Sequence, residues 1–89
     1  MTGIFNVVNN RDFPDSRSLA VELRRDNGEE FNIEVCIEKG ENIMSIFRRF
    51  TKEAKVYVKN DTEMMELTRA FLATRDRLVD DIKKSWEEK

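Results

Sequence analysis

Histidine is absent from this 89-residue chain, and cysteine occurs once, as Cys36. Without histidine there is no imidazole acid–base relay and no His-containing metal site. With a single thiol no intrachain disulfide can close, which fits a reducing compartment. The longest apolar run falls far short of the roughly 20 residues that cross a bilayer, and the first residues lack the apolar core of a signal peptide. These features predict an intracellular protein of the cytoplasm or an organelle matrix, with no membrane partner. Catalysis would have to rest on carboxylates, lysines or the lone thiol, and no spacing among them marks a site. Asp80 and Asp81 point about 100° apart on a helix and do not converge as a catalytic or metal pair would. Cys36 lacks the positive neighbours that activate a thiolate. The chain is therefore read as a non-enzyme, with no cofactor, no metal and no small-molecule substrate.

What is present is enough for one core. Apolar residues make up 39% and charged residues 38% of the chain, which supports a single domain over residues 1–89. Residues 1–17 read as a partly irregular N-terminal segment. Ile4 to Val8 is a candidate edge strand, and the polar stretch around Phe13-Pro14, with the only proline, is a loop. Leu19, Val21 and Leu23 then alternate with Ala20, Glu22 and Arg24, the period of a strand. Asp26-Asn27-Gly28 supplies a turn, and Phe31, Ile33, Val35 and Ile37 alternate with Asn32, Glu34, Cys36 and Glu38. This is an antiparallel hairpin over about residues 18–38, with Cys36 on the face turned away from the core.

Lys39 to Asn42 breaks the strand, and Asn42 is placed to cap a helix over residues 42–55. Ile43, Ile46, Phe47, Phe50 and Ala54 form a stripe about 100° wide, the width of a core-facing surface helix. Arg48, Arg49, Lys52 and Lys55 gather on the other side. Val56-Tyr57-Val58 reads as either a short strand or an extended connector. Asn60 and Glu63 have the spacing of a capping box, and a C-terminal helical segment occupies residues 61–89. In it Met64, Leu67, Phe71, Leu78, Ile82 and Trp86 share one face, interrupted by the polar run Thr74-Arg75-Asp76-Arg77, where the helix is expected to bend, break or leave the domain. The pattern is α+β: a small antiparallel hairpin or sheet, with Ile4–Val8 and Val56–Val58 as candidate further strands, packed by a short amphipathic helix and a longer C-terminal one.

The net charge of −2 conceals a division. Residues 1–38 carry 4 basic and 8 acidic side chains, residues 39–59 carry 6 and 2, and residues 60–89 carry 6 and 8. The basic middle coincides with the short helix and continues through Lys55, Tyr57 and Lys59, which strand alternation would place on one side. Arg48, Arg49, Lys52, Lys55, Tyr57 and Lys59 are therefore the candidate RNA-binding residues: cations for phosphates, with an aromatic among them. Beside acidic flanks, so few cations predict weak binding by the isolated chain and useful affinity only within a larger assembly.

Ile33-Glu34-Val35-Cys36-Ile37-Glu38-Lys39-Gly40-Glu41-Asn42-Ile43, followed by Ile46-Phe47-Arg48-Arg49-Phe50-Thr51-Lys52, resembles the opening of the bacterial small-subunit ribosomal protein S21 family. The likeness covers about residues 33–55, roughly a quarter of the chain. It rests on an extended segment, an acidic-Asn-hydrophobic helix start and an arginine pair followed by an aromatic. The resemblance implies an RNA-binding component of the small subunit near the platform where messenger RNA is positioned. Its partners would be rRNA and small-subunit ribosomal proteins. It further implies that Arg48, Arg49 and Lys52 contact rRNA phosphates while Ile43, Ile46, Phe47 and Phe50 pack against the hairpin. The chain departs from that family in its N-terminal strand region and in its acidic end, where Asp80, Asp81, Glu87 and Glu88 stand in place of an arginine-rich helix and a Lys-Pro element. The acidic ends are better explained by a second reading, a small acidic interaction module, regulatory or inhibitory, that binds a protein partner through its C-terminal helix or a strand edge.

Overall fold

The computed structural model describes residues 2–9 and 12–87. Three strands, β1 (Thr2–Asn9), β2 (Arg17–Arg24) and β3 (Glu30–Ile37), precede two helices, α1 (Ile43–Ala54) and α2 (Asp61–Glu87). The sheet is antiparallel throughout, in the order β1-β2-β3. Its register pairs Phe5 with Val21 and Val21 with Ile33. The fold is α+β, as the alternation and helical spacing predict, and Ile4–Val8 belongs to the sheet.

The hairpin turn follows from its residues. The Gly28 N–H donates to the Arg25 carbonyl at 3.0 Å, and the Arg25 N–H donates to Glu29 O at 2.8 Å. Gly28 has φ +92°, a left-handed conformation that a side chain disfavours. This is a three-residue loop ending in a glycine bulge. Both helices start on asparagine caps. Asn42 Oδ1 accepts from the Ser45 N–H and Asn60 Oδ1 from the Glu63 N–H, each at 2.9 Å. The reciprocal half of the second capping box is displaced by one residue, because Glu63 Oε1 accepts from the Lys59 N–H at 2.8 Å.

Period two sends Phe5, Leu19, Val21, Leu23, Ile33, Val35 and Ile37 to one face of the sheet, where they are buried. The helices cover that face, α1 over β3 and α2 over β1. The layers meet at Phe71, whose ring lies 5.7 Å from Phe5 edge-on, 5.3 Å from Phe50 and 4.8 Å from Phe47. Ile46, Phe50 and Ala54 of α1 and Leu67, Phe71 and Leu78 of α2 complete the core. The two helices run antiparallel to each other: α1 starts near the Ile37 end of the sheet, whereas α2 starts beside Arg25 and ends beside Arg17.

Two expectations are corrected. Val56–Val58 is neither strand nor extended connector. Residues 55–57 form a turn, closed by the Val56, Tyr57 and Val58 N–H groups donating to Glu53 and Ala54 carbonyls. The α2 helix does not bend away or break at Thr74–Arg77. It runs unbroken through this stretch, with Phe71 and Leu78 buried on either side of it. Arg77 ties it to β1 by donating to Phe5 O at 2.7 Å and also donates to Asp81 at 3.1 Å, while Thr74 Oγ1 donates to Ala70 O and Phe71 O. Residues 88 and 89, within the C-terminal segment read from the sequence, lie outside the described residues.

Candidate nucleic-acid interface

The six candidate residues separate into two groups. Arg48, Lys52 and Lys55 are exposed and recur at i, i+4 and i+7, so they stack along one outer stripe of α1. Among the described residues none of the three cationic side chains takes part in an ion pair or a hydrogen bond, and Arg48 accepts from Thr51 Oγ1 only through its backbone carbonyl. Met44, 44% exposed, extends the stripe by one turn toward the helix start.

Arg49 sits on the flank of α1 that faces the outer edge of β3. Its guanidinium grips both carboxylate oxygens of Glu41 and donates to the Cys36 carbonyl. Burial alone pushes the Glu41 carboxyl up, but the hydrogen bonds from Arg49 and the Glu38 amide, with the Arg49 charge, outweigh it and hold Glu41 below its ordinary value. The same pairing raises Arg49. Its fork is therefore occupied by the protein itself.

Tyr57 and Lys59 belong to the α1–α2 connection, and the tip of the hairpin holds them. The Tyr57 ring stacks on Phe31 at 5.3 Å and 11°, and its carbonyl accepts from Arg25 Nη2. The Lys59 ammonium lies 3.6 Å from Glu29. Arg25 is the hub. Its Nε and Nη1 reach Glu63 and Glu29 at 2.9 Å each, and its guanidinium lies 4.7 Å over Phe31. The Arg25 hydrogen bond, then the Lys59 amide, hold the Glu63 carboxyl below its ordinary value. Glu29 is lowered by the Asn27 amide, then by the Lys59 charge, with Arg25 adding to both.

The opposite face of the molecule is the uncovered side of the sheet. Thr2, Ile4, Asn6 and Val8, then Ser18, Ala20, Glu22 and Arg24, then Glu30, Asn32, Glu34 and Cys36 point there, by the alternation that buries their neighbours. Three carboxylates face one cation, and Arg24 pairs with Glu30. The Cys36 thiol is exposed on this side, 3.7 Å from Ser16 Oγ.

Arg49 apart, the arginines that organise the molecule are absent from the candidate site residues singled out in the sequence. Arg17, 8% exposed, donates to Pro14 O at 2.7 Å and to Ser16 O and Ser85 O at 2.9 Å, and lies 4.2 Å over the Trp86 ring. Trp86 thereby ties the end of α2 to the sheet. A signal was available: Arg17 shares the period-two parity of Leu19, Val21 and Leu23, which assigns it to the core face. Arg25 continues the same parity one step past Leu23, and Arg77 carries no such local mark.

Among the described residues no group of three or more Cys, Asp or Glu gathers to hold a metal ion, and no helix is long and apolar enough to cross a membrane. No protein-family model, curated protein or solved structure matches the chain.

Proposed function

We propose that this protein contacts RNA phosphates through the outer stripe of α1, as an S21-like component associated with the small ribosomal subunit. The observation that carries the reading is the set Arg48, Lys52 and Lys55: three cations at helical spacing, exposed and without a partner among the described residues, on a helix whose other charges are engaged or turned aside. A helix face of this kind meets a phosphate row without reading bases. It orients the protein, and the shape of the RNA supplies the specificity. Met44 adds an apolar contact at one end of the row. The open face of the sheet, with Glu22, Glu30 and Glu34, then points away from the RNA, which separates the basic middle from the carboxylates of the strands.

Three phosphate contacts predict that log K falls against log salt with a slope of roughly −2 for a single strand. That is a weak, salt-labile interaction which a larger particle must reinforce. The test is gradient sedimentation of tagged protein from lysate at low salt, comparing wild type with Arg48→Glu/Lys52→Glu. Co-migration with small subunits that is lost in the double variant supports the reading. Wild type remaining at the top of the gradient overturns it. Arg49 is left unaltered, because its replacement would release Glu41 and the Cys36 carbonyl and confound binding with folding.

A further inference from the structure

The sheet has two outer edges, and they are closed unequally. In an antiparallel ladder each residue turns both of its backbone groups to the same side. The Phe5 carbonyl accepts from Arg77, beyond the edge of β1, so Phe5 faces away from β2. Its partner Val21 therefore bonds across to Ile33. By the same alternation Glu30, Asn32, Glu34 and Cys36 turn their backbone groups off the outer edge of β3, which agrees with the Arg49 bond to the Cys36 carbonyl. On β1 the helix α2 guards the edge through Arg77, and farther along it Asp81, Lys84 and Ser85 line a recess with Asn6, Val7 and Asn9. On β3 only the Cys36 end is closed. Asn32 and Glu34 are exposed, and nothing among the described residues bonds their outward N–H and C=O groups.

We propose that the open stretch of β3 from Glu30 to Glu34 is a docking edge for an extended segment of a partner protein that carries lysine or arginine four residues apart. Such a segment adds a fourth strand through the backbone groups of Asn32 and Glu34. Opposed residues on paired strands share a face, so its cations lie against Glu30 and Glu34 on the open side of the sheet, with a small polar residue between them against Asn32. Glu22, beside Asn32 on β2, adds to the same field, and Arg24, paired with Glu30, offsets part of it, which leaves three carboxylates against one cation. Charge also selects against the other occupants. A second copy pairing through its own β3 would bring Glu30 and Glu34 against the same carboxylates, and like charges directly opposed destabilise a ladder. A phosphate backbone meets the same repulsion. The site is separate from the α1 stripe and does not depend on the RNA reading.

The test is an amide NMR titration of the whole protein with a blocked seven-residue peptide that has valine at its odd positions, lysine second and sixth, and serine fourth. The expected result is shifts centred on residues 30–34 and slowed hydrogen exchange at the Asn32 and Glu34 amides. A peptide with glutamate in place of both lysines should bind about ten-fold more weakly or worse. Asn32→Pro, which removes an outward donor and leaves the ladder to β2 intact, should abolish the effect. Glu34→Lys, which keeps every backbone group, should narrow or invert the preference between the two peptides, and it serves if the proline variant does not fold. Shifts centred on α1, equal binding of both peptides, no binding at millimolar peptide, or a dimer of the free protein in light scattering would each overturn the proposal. Loss of RNA binding in Arg48→Glu/Lys52→Glu with peptide binding retained separates failure at one site from failure at the other.

Discussion

The cations of the α1 stripe and the arginines at the edges of the sheet have similar chemistry and opposite employment. Arg48, Lys52 and Lys55 stand in solvent with no partner among the described residues. Arg17, Arg25, Arg49 and Arg77 are committed to backbone carbonyls, carboxylates and aromatic faces, binding strand to helix at the two ends of the sheet and along its two edges. Arg48 and Arg49 are neighbours in sequence and fall on different sides of this division. About 100° of helix rotation separates them, enough to turn one outward and to bring the other over the edge of β3. A basic cluster in a sequence therefore overstates the charge available to a ligand. The cations left over after the fold has used its share are the ones that can bind.

The comparison predicts unequal consequences of mutation. The largest effect on stability is expected for Arg17→Met, which strands the buried Ser85 carbonyl and takes the donor from the part-buried carbonyls of Pro14 and Ser16. The loss should be about 2 kcal/mol in urea denaturation, with Trp86 fluorescence reporting release of the end of α2. A cost below about 0.5 kcal/mol would mean that Arg17 is not a tie.

Acid should come next, and it should act on the edge arginines through their partners. Glu29, Glu41 and Glu63 are held below their ordinary values in the fold. Their contribution is complete above the unfolded glutamate value of about 4.3 and disappears as pH falls through the lowered folded values. Arg25 and Arg49 are raised and stay protonated across this window, so they add no slope of their own. The thermal midpoint should fall on acidification below about pH 4, and Glu63→Gln should remove part of that fall. An unchanged acid slope in Glu63→Gln would break the link between Arg25 and the α2 terminus.

The smallest effect is expected on the stripe. Arg48→Gln/Lys52→Gln should change stability by no more than about 0.5 kcal/mol and leave the acid slope where it is, while weakening RNA retention. A larger loss of stability in this pair would show that the fold uses these cations too, and would erase the distinction.

Much of this architecture is legible along the chain. Alternation from Leu19 to Leu23 and from Phe31 to Ile37 specifies two strands and their buried faces. Asn42 and Asn60 mark the helix starts, and Ile46, Phe50 and Ala54 mark the inner face of α1. The site is legible only in part, because the same pattern that places Arg48, Lys52 and Lys55 opposite the core does not reveal that Arg49, Tyr57 and Lys59 are engaged elsewhere. Val56–Val58 has strand-forming residues and no strand to pair with. The stacking of Tyr57 on Phe31 and the grip of Arg25 on the Tyr57 carbonyl make it a turn.

By itself the sequence determines periodicity, caps, turn and core faces, since each depends on residues within a turn or two of one another. Tertiary structure alone decides whether α2 is continuous, which strand edge stays open and which cations remain free. Those outcomes rest on bonds between residues far apart in the chain, such as Arg77 to Phe5 across 72 positions and Arg17 to Ser85 across 68. Side-chain hydrogen bonds of that kind exist only after the sheet and helices have packed, so no local pattern encodes them.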